Sequence, residues 1–288
     1  MSTPGDHSSK DGVPPVPPVD GGGGRLSSSD SNGGLPTMTG AFAGLWTLTW
    51  RSRFTLRQVP LLALTVLFLP TLAYLAVSHS HGARMEFFAR FVSFYLFMAL
   101  PLYCLAVLGD LIRDELQSNT LAFLITRPVT RARLVFLKFL CAWIWVECVA
   151  LASGSLLLLA GRIAGAEDAF SAAPIILGAQ FLAVLAYGAL SALLGLLHRR
   201  YLVVGAIYGL VVEVGIGQIP TNVNTLSINR HLRTILANNT RFQEIFDWSN
   251  EKTWLSVLIL IAAGFLFCGL ASLMFTLMEY HHSEEMQK

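Results

Sequence analysis

Six long apolar runs separated by short polar segments dominate the pattern of the chain. They cover residues 59–77, 91–109, 134–160, 173–197, 201–219 and 254–277. A helix needs about 20 apolar residues to cross the ~30 Å hydrocarbon core of a bilayer, and each run is near or above that length. The pattern therefore predicts an all-α membrane protein with a six-helix transmembrane bundle. Pro60 suits a first helical turn, whereas Pro70 and Pro101 lie inside their runs and predict kinks. The fourth and fifth runs are divided only by His198, Arg199 and Arg200, a tight turn between antiparallel helices.

Ahead of the first run, Phe42, Trp46, Trp50 and Phe54 recur every fourth residue, with Arg51, Arg53 and Arg57 beside and after them. Indoles at headgroup depth and guanidinium groups toward phosphate describe an interfacial elbow helix over 41–56. The alternative is that this segment is the opening of the first span. Residues 1–40 are rich in Gly, Pro, Ser and Asp, and such a segment buries too little apolar area to offset chain entropy. A disordered cytoplasmic tail is expected there, without the apolar core of a secretory signal. The remaining 41–288 reads as one membrane domain.

Composition agrees. The chain is 54% hydrophobic and 13% charged, against about 25% charged for a soluble domain. Its net charge is +2, and the cations are spread around the apolar runs rather than gathered in a stripe, which gives no reason to expect a nucleic-acid partner. The cysteines Cys104, Cys141, Cys148 and Cys268 all fall within apolar runs and read as small buried hydrophobes.

Lysine and arginine placement sets the expected orientation. With the N-terminus inside, the inner segments hold Arg51, Arg53, Arg57, Arg113, Arg127, Arg131, Arg133, Lys138, Arg199 and Arg200, while the first two outer loops hold only Arg84, Arg90 and Arg162, and the last outer loop, whose length makes it weigh less, holds Arg230, Arg233, Arg241 and Lys252. The topology expected is N-in, C-in. It places the 110–133 loop in the cytoplasm and 220–253 outside. Within that outer loop, Leu232, Ile235 and Leu236, then Phe242, Ile245 and Phe246, are spaced for two short amphipathic helices.

Two acids lie within apolar runs, Glu147 and Glu213. An ionisable group at membrane depth costs at least ~2.5 kcal/mol on insertion scales, so each must face protein or water. Gly205, Gly209, Glu213 and Gly217 come at intervals of four and would share one face of a regular helix. Glu213 reads either as interhelical hydrogen-bonded glue or as a substrate or proton site, and Glu147 is open to the same pair of readings. His79 with His81, and His281 with His282, lack further ligands, and no metal site is expected. No phosphate-binding loop, nucleophile elbow or metalloprotease motif occurs; the chain is expected to be no enzyme, and any ATP hydrolysis must sit on another chain.

The inner loop is the least ordinary segment. Asp110, Asp114 and Glu115 carry the second helix into water. Ser118 or Asn119 can cap a short helix over 120–126, whose Leu121, Phe123, Leu124 and Ile125 would be wasteful in solvent. Pro128 stops it. Such an element suits a docking surface for a soluble partner, or a helix lying on the lipid surface.

The order Asp110, Asp114-Glu115, Asn119-Thr120-Leu121, Leu124, Arg127-Pro128-Val129-Thr130-Arg131 and Lys138-Phe139 resembles the cytoplasmic loop of ABC-2 type transporter permeases. Asn119 stands where glycine is usual, and Leu137 where glycine commonly precedes the lysine. The likeness extends to the elbow helix and the six-span layout, over about residues 41–280. It implies a permease, multi-pass in the cytoplasmic or inner cell membrane, that exports a substrate. It also implies a second permease copy, identical or a paralogue, and two copies of a separate ATP-binding cassette ATPase. ATP and magnesium would bind that partner, with no cofactor on this chain. The 120–126 helix would be the coupling helix. A non-transporting membrane anchor or assembly factor, and a proton-coupled secondary transporter using Glu213 or Glu147, are the alternative functions.

Overall fold

In hydrocarbon a backbone has only itself to hydrogen-bond, so long apolar runs must close their own ladders as helices. The computed structural model describes residues 46, 47, 50, 59–80, 82–111, 131–215, 227–249 and 252–285. Among these residues there is no strand. Helix α1 spans Val59–His79 and α2 spans Arg84–Phe94. A π turn at Tyr95–Ala99 leads into α3, Leu100–Leu108. Helix α4 is Arg131–Ile163 and α5 is Ala173–Leu197. Helix α6, Tyr201–Tyr208, runs into a second π segment, Gly209–Gly215. Two short helices come next, α7 at Ile228–Leu236 and α8 at Thr240–Phe246, and α9 occupies Thr253–Glu285.

Four of these are long and apolar enough to cross a membrane: Arg84–Leu108, Val135–Ile163, Ala173–Leu197 and Thr253–Leu277. Shorter apolar stretches, Val66–His79 and Tyr201–Glu213, stand where the first and fifth spans are expected. The second span starts earlier than the apolar run does. Glu86 lies in its first turn and pairs with Arg90 one turn on, and the buried Phe88, Ala89 and Val92 continue the packed face. Pro101 has no N–H for the Phe97 carbonyl, and the chain meets this with the π turn over the preceding residues rather than with an unbroken α-helix.

Helix α5 is the centre of the bundle. Inside the protein lies 78% of its apolar stretch, against 22% for α9, which turns Leu258, Phe265, Leu266 and Leu273 outward. Helix α5 packs against α9, α3, α4 and α7. Small residues allow this, because association in lipid depends on close backbone approach rather than on a hydrophobic driving force. Its Ala179, Ala183, Ala186 and Ala189 are fully buried. The tightest crossing pairs Gly195 with Gly109, where a Cβ on Gly195 would overlap the Gly109 carbonyl oxygen. Gly188 gives Leu108 room in the same interface, and Gly161 of α4 admits the Phe88 ring.

The two short helices after the fifth apolar run carry the spacing expected of them. Leu232, Ile235, Leu236 and Phe242 are buried, with Ser227 capping α7 through the Arg230 N–H and Asn239 capping α8 through the Arg241 N–H. Trp46 and Trp50, four residues apart, have ring centroids 5.0 Å apart, and Trp50 meets Trp145 of α4 edge-on at 4.8 Å. Trp50 is thus packed on α4, while Phe42 and Phe54 lie outside the described residues. The tail 1–40 and the arginines Arg51 and Arg53 lie outside the described residues, as does the inner loop from 112 to 130.

Replacing Gly195 with Ala drives a methyl into backbone that cannot retreat. The expected loss is at least the ~1–3 kcal/mol typical of overpacking, seen as a lower melting temperature and a reduced yield of monodisperse protein in detergent. Gly178→Ala, also on α5 but with open space where its Cβ would go, is expected to match the parent in both measurements.

Candidate functional site

Glu213 sits in the second π segment, buried to 3% exposure. The winding decides what it touches. In a regular α-helix, residues five apart do not face each other, whereas π winding closes on the fifth residue. Tyr208, five positions earlier, accordingly donates its hydroxyl to Glu213 Oε1 at 3.2 Å. The carboxylate then reaches the start of α7. Ser227 Oγ donates to Oε2 at 2.7 Å, the Ile228 N–H to Oε1 at 3.1 Å and the Asn229 N–H to Oε2 at 2.9 Å.

The first N–H groups of a helix have no intrahelical acceptor and lie at the positive end of its dipole. A carboxylate is the group best matched to them. Glu213 receives four donors, and an ionised carboxylate offers about four lone-pair positions, so no acceptor capacity is left over. Of the two readings open for this acid, the geometry is that of interhelical glue. The network continues through Asn229, whose side-chain oxygen accepts from the Tyr187 hydroxyl of α5 at 2.9 Å. One carboxylate thereby ties α5, α6 and α7 together. The even glycine face expected from the spacing is not formed. Gly205 packs on Leu105, but Gly209, where the π segment begins, faces open space, and Gly217 lies outside the described residues.

Beside this clamp lies a cavity of about 490 Å3, within the ~300–1,000 Å3 of small-molecule pockets. Its walls come from the second span around the π turn, from α5 and from α6, and α7 closes one end. Phe94, Phe97, Met98, Leu102, Leu190 and Leu194 make most of the surface apolar. Polar groups gather at the α7 end: Tyr187, Tyr208, Glu213, Asn229 and Arg233. The Arg233 guanidinium lies over the Phe97 ring, 5.5 Å from its centroid, and its Nε is buried with no hydrogen-bond partner. Burial pushes its pKa below the usual arginine value, with Glu213 and Tyr187 opposing the shift. A guanidinium nonetheless keeps its charge in proteins.

Glu147 belongs to another place. It is buried on α4, and neither carboxylate oxygen has a hydrogen-bond partner. Its neighbour is Gln180 of α5. Gln180 is fully buried, accepts at Oε1 from Tyr95 at 3.2 Å, and leaves Nε2 without a partner. Tyr95 also donates to the Ala150 carbonyl at 2.9 Å, and Gly154 makes the space that Gln180 occupies.

The structure thus separates the two membrane acids. Of the inner-loop residues, Asp110 closes the turn after α3, and Arg131 is the first residue of α4. Asp114, Glu115, Thr120, Leu121, Leu124, Arg127 and Pro128 lie outside the described residues. Arg233, Tyr208 and Asn229 are not apparent as site residues from sequence. Ser227 ahead of an amphipathic stretch is a capping signal that points to the start of α7. Nothing in the spacing announces a π turn, which is what joins Tyr208 to Glu213.

A family model described as ABC-2 family transporter protein matches residues 55–219, more than half of the 288 residues. The match covers the first five apolar runs and the inner loop. Comparison with curated proteins gives no match.

Glu213→Gln keeps the size of the side chain but turns an N–H toward donors. Hydrogen bonds to a charged group are worth ~1.5–3 kcal/mol, and destabilisation in that range is expected in a thermal melt of the purified protein. Tyr208→Phe removes a single donor to the same charged carboxylate and is expected to cost no more than the lower end of that range, about 1.5 kcal/mol.

Proposed function

The chain belongs to the ABC-2 family of transporter proteins, and from that membership we propose that it is the permease subunit of an ATP-binding cassette exporter, driven by a separate ATPase. The observation that carries this reading is the family match over residues 55–219. Within that stretch stands the motif Asp110, Asp114-Glu115, Asn119-Thr120-Leu121 and Arg127-Pro128-Val129-Thr130-Arg131. Six spans, with both termini and this loop on the cytoplasmic side, accord with the positive-inside bias. The four long apolar helices and the two shorter apolar stretches support that count.

On this reading the 120–126 segment seats in a cleft of the ATPase. Closure of two ATPase copies on ATP and magnesium pushes it as a lever on the second and third spans, between which it lies. The second span carries the π turn that walls the cavity, so a push at its inner end acts on a cavity wall. A second permease copy completes the pathway. The saturated Glu213 carboxylate argues against a proton relay at that site.

Co-expression with an ATP-binding cassette ATPase is expected to yield a complex whose ATP turnover rises on assembly. Glu115→Ala and Arg131→Ala are each expected to cut ATP-dependent transport by about tenfold or more while membrane insertion stays intact. Undiminished transport by a variant with residues 118–128 scrambled would overturn the coupling role.

A further inference from the structure

The cavity beside Glu213 has a chemical bias that the permease reading does not require. Its long wall is hydrocarbon, from Phe94, Phe97, Met98, Leu102, Leu190 and Leu194. Two charged side chains reach it, and they are not equivalent. Glu213 is closed off by four donors. Arg233 forms no ion pair among the described residues, and its buried Nε has no acceptor. Its guanidinium rests on the face of Phe97. A ring face attracts a cation but supplies no lone pair for the N–H groups. Asn229 spends its side-chain oxygen on Tyr187, which leaves its amide nitrogen as a second donor at the same end. The polar end of the cavity therefore holds one cation and one occupied carboxylate, its unspent groups are the donors of Arg233 and Asn229, and the remainder is apolar.

Size narrows the occupant further. A cavity of about 490 Å3 lies in the lower half of the ~300–1,000 Å3 range of sites for one small molecule, a better match to a single chain than to the two of a bilayer phospholipid.

We propose that this cavity binds a single-chain amphiphile with one anionic head, the chain lying along the Phe94–Leu102 wall and the head paired with Arg233 and Asn229. A cationic amphiphile would set a positive group against the guanidinium, and a neutral one would offer Arg233 an acceptor without the negative charge that makes such a bond strong. The proposal deepens the permease reading and rests on it only for the ligand being cargo; binding itself needs no ATPase.

The test uses the full chain in nanodiscs of zwitterionic lipid, without a partner subunit. The probes are palmitate carrying a diazirine in its chain and the matching long-chain alcohol. Palmitate is expected to label peptides containing Phe97–Leu102 or Leu190–Leu194, and to do so more than the alcohol. Arg233→Gln is expected to lower palmitate labelling by about tenfold or more while alcohol labelling stays at the parental level, which also reports an intact cavity. Arg233→Lys, which keeps the charge, is expected to restore much of the labelling. An excess of phosphatidylglycerol in the nanodisc is expected not to compete. Equal labelling by acid and alcohol in the parent protein would overturn the proposal, as would labelling unchanged in Arg233→Gln or displacement by phosphatidylglycerol. Failure to find a stimulated ATPase would instead count against the permease reading and leave these results standing.

Discussion

A carboxylate in a membrane protein must find donors, and the first turn of a helix must find acceptors. At Glu213 each need answers the other. Two backbone N–H groups of α7, the Ser227 hydroxyl and the Tyr208 hydroxyl converge on one side chain. Without the acid, the buried start of α7 would hold orphan donors; without α7, the acid would stand as an uncompensated charge beside hydrocarbon. The penalty for stripping partners from a buried charge exceeds that for an ordinary hydrogen bond, so α7 and the fifth apolar segment are held as one piece. The cavity inherits its polar end from this arrangement.

The rest of the bundle obeys a different rule. Apart from Gln180 and Tyr187, which hydrogen-bond to neighbouring elements, packing around α5 is set by how closely backbones approach. Gly195 against Gly109 fixes the crossing at the end of α3, and buried alanines let α9 and α4 close on the remaining sides. The outward faces of α1 and α9 are covered with leucine and phenylalanine, as expected of surfaces that meet lipid. A closely packed central helix and a lipid-facing periphery leave the second span, the fifth apolar segment and α7 to enclose space against α5.

Much of this is legible in the residues. Apolar length predicts the helices, because nothing but a helix satisfies such a backbone in lipid. The 3.6-residue spacing of Leu232, Ile235 and Leu236 predicts α7, because a buried stripe needs that period. Glu213 stands out by its cost at membrane depth. Its partners are hidden, since Tyr208 is its neighbour only through a π turn and Ser227 only through folding of the outer loop. Arg233 reads from the sequence as one more loop charge. Its burial over Phe97 depends on contacts between residues more than a hundred positions apart. Gln180, beside Glu147, is concealed in the same way. The inner loop is legible through its motif alone.

Two π segments, Tyr95–Ala99 and Gly209–Gly215, both contribute walls to the one cavity. Each amounts to an extra residue threaded into an otherwise α-helical span. In an α-helix one residue more or less turns everything beyond it by about 100°. Single-residue insertions and deletions at these two places are therefore moves that descent can make cheaply. They present a new set of side chains to the cavity while the scaffold around α5 is inherited intact. Relatives of this chain are expected to diverge in helix length there first, and in what they accommodate along with it.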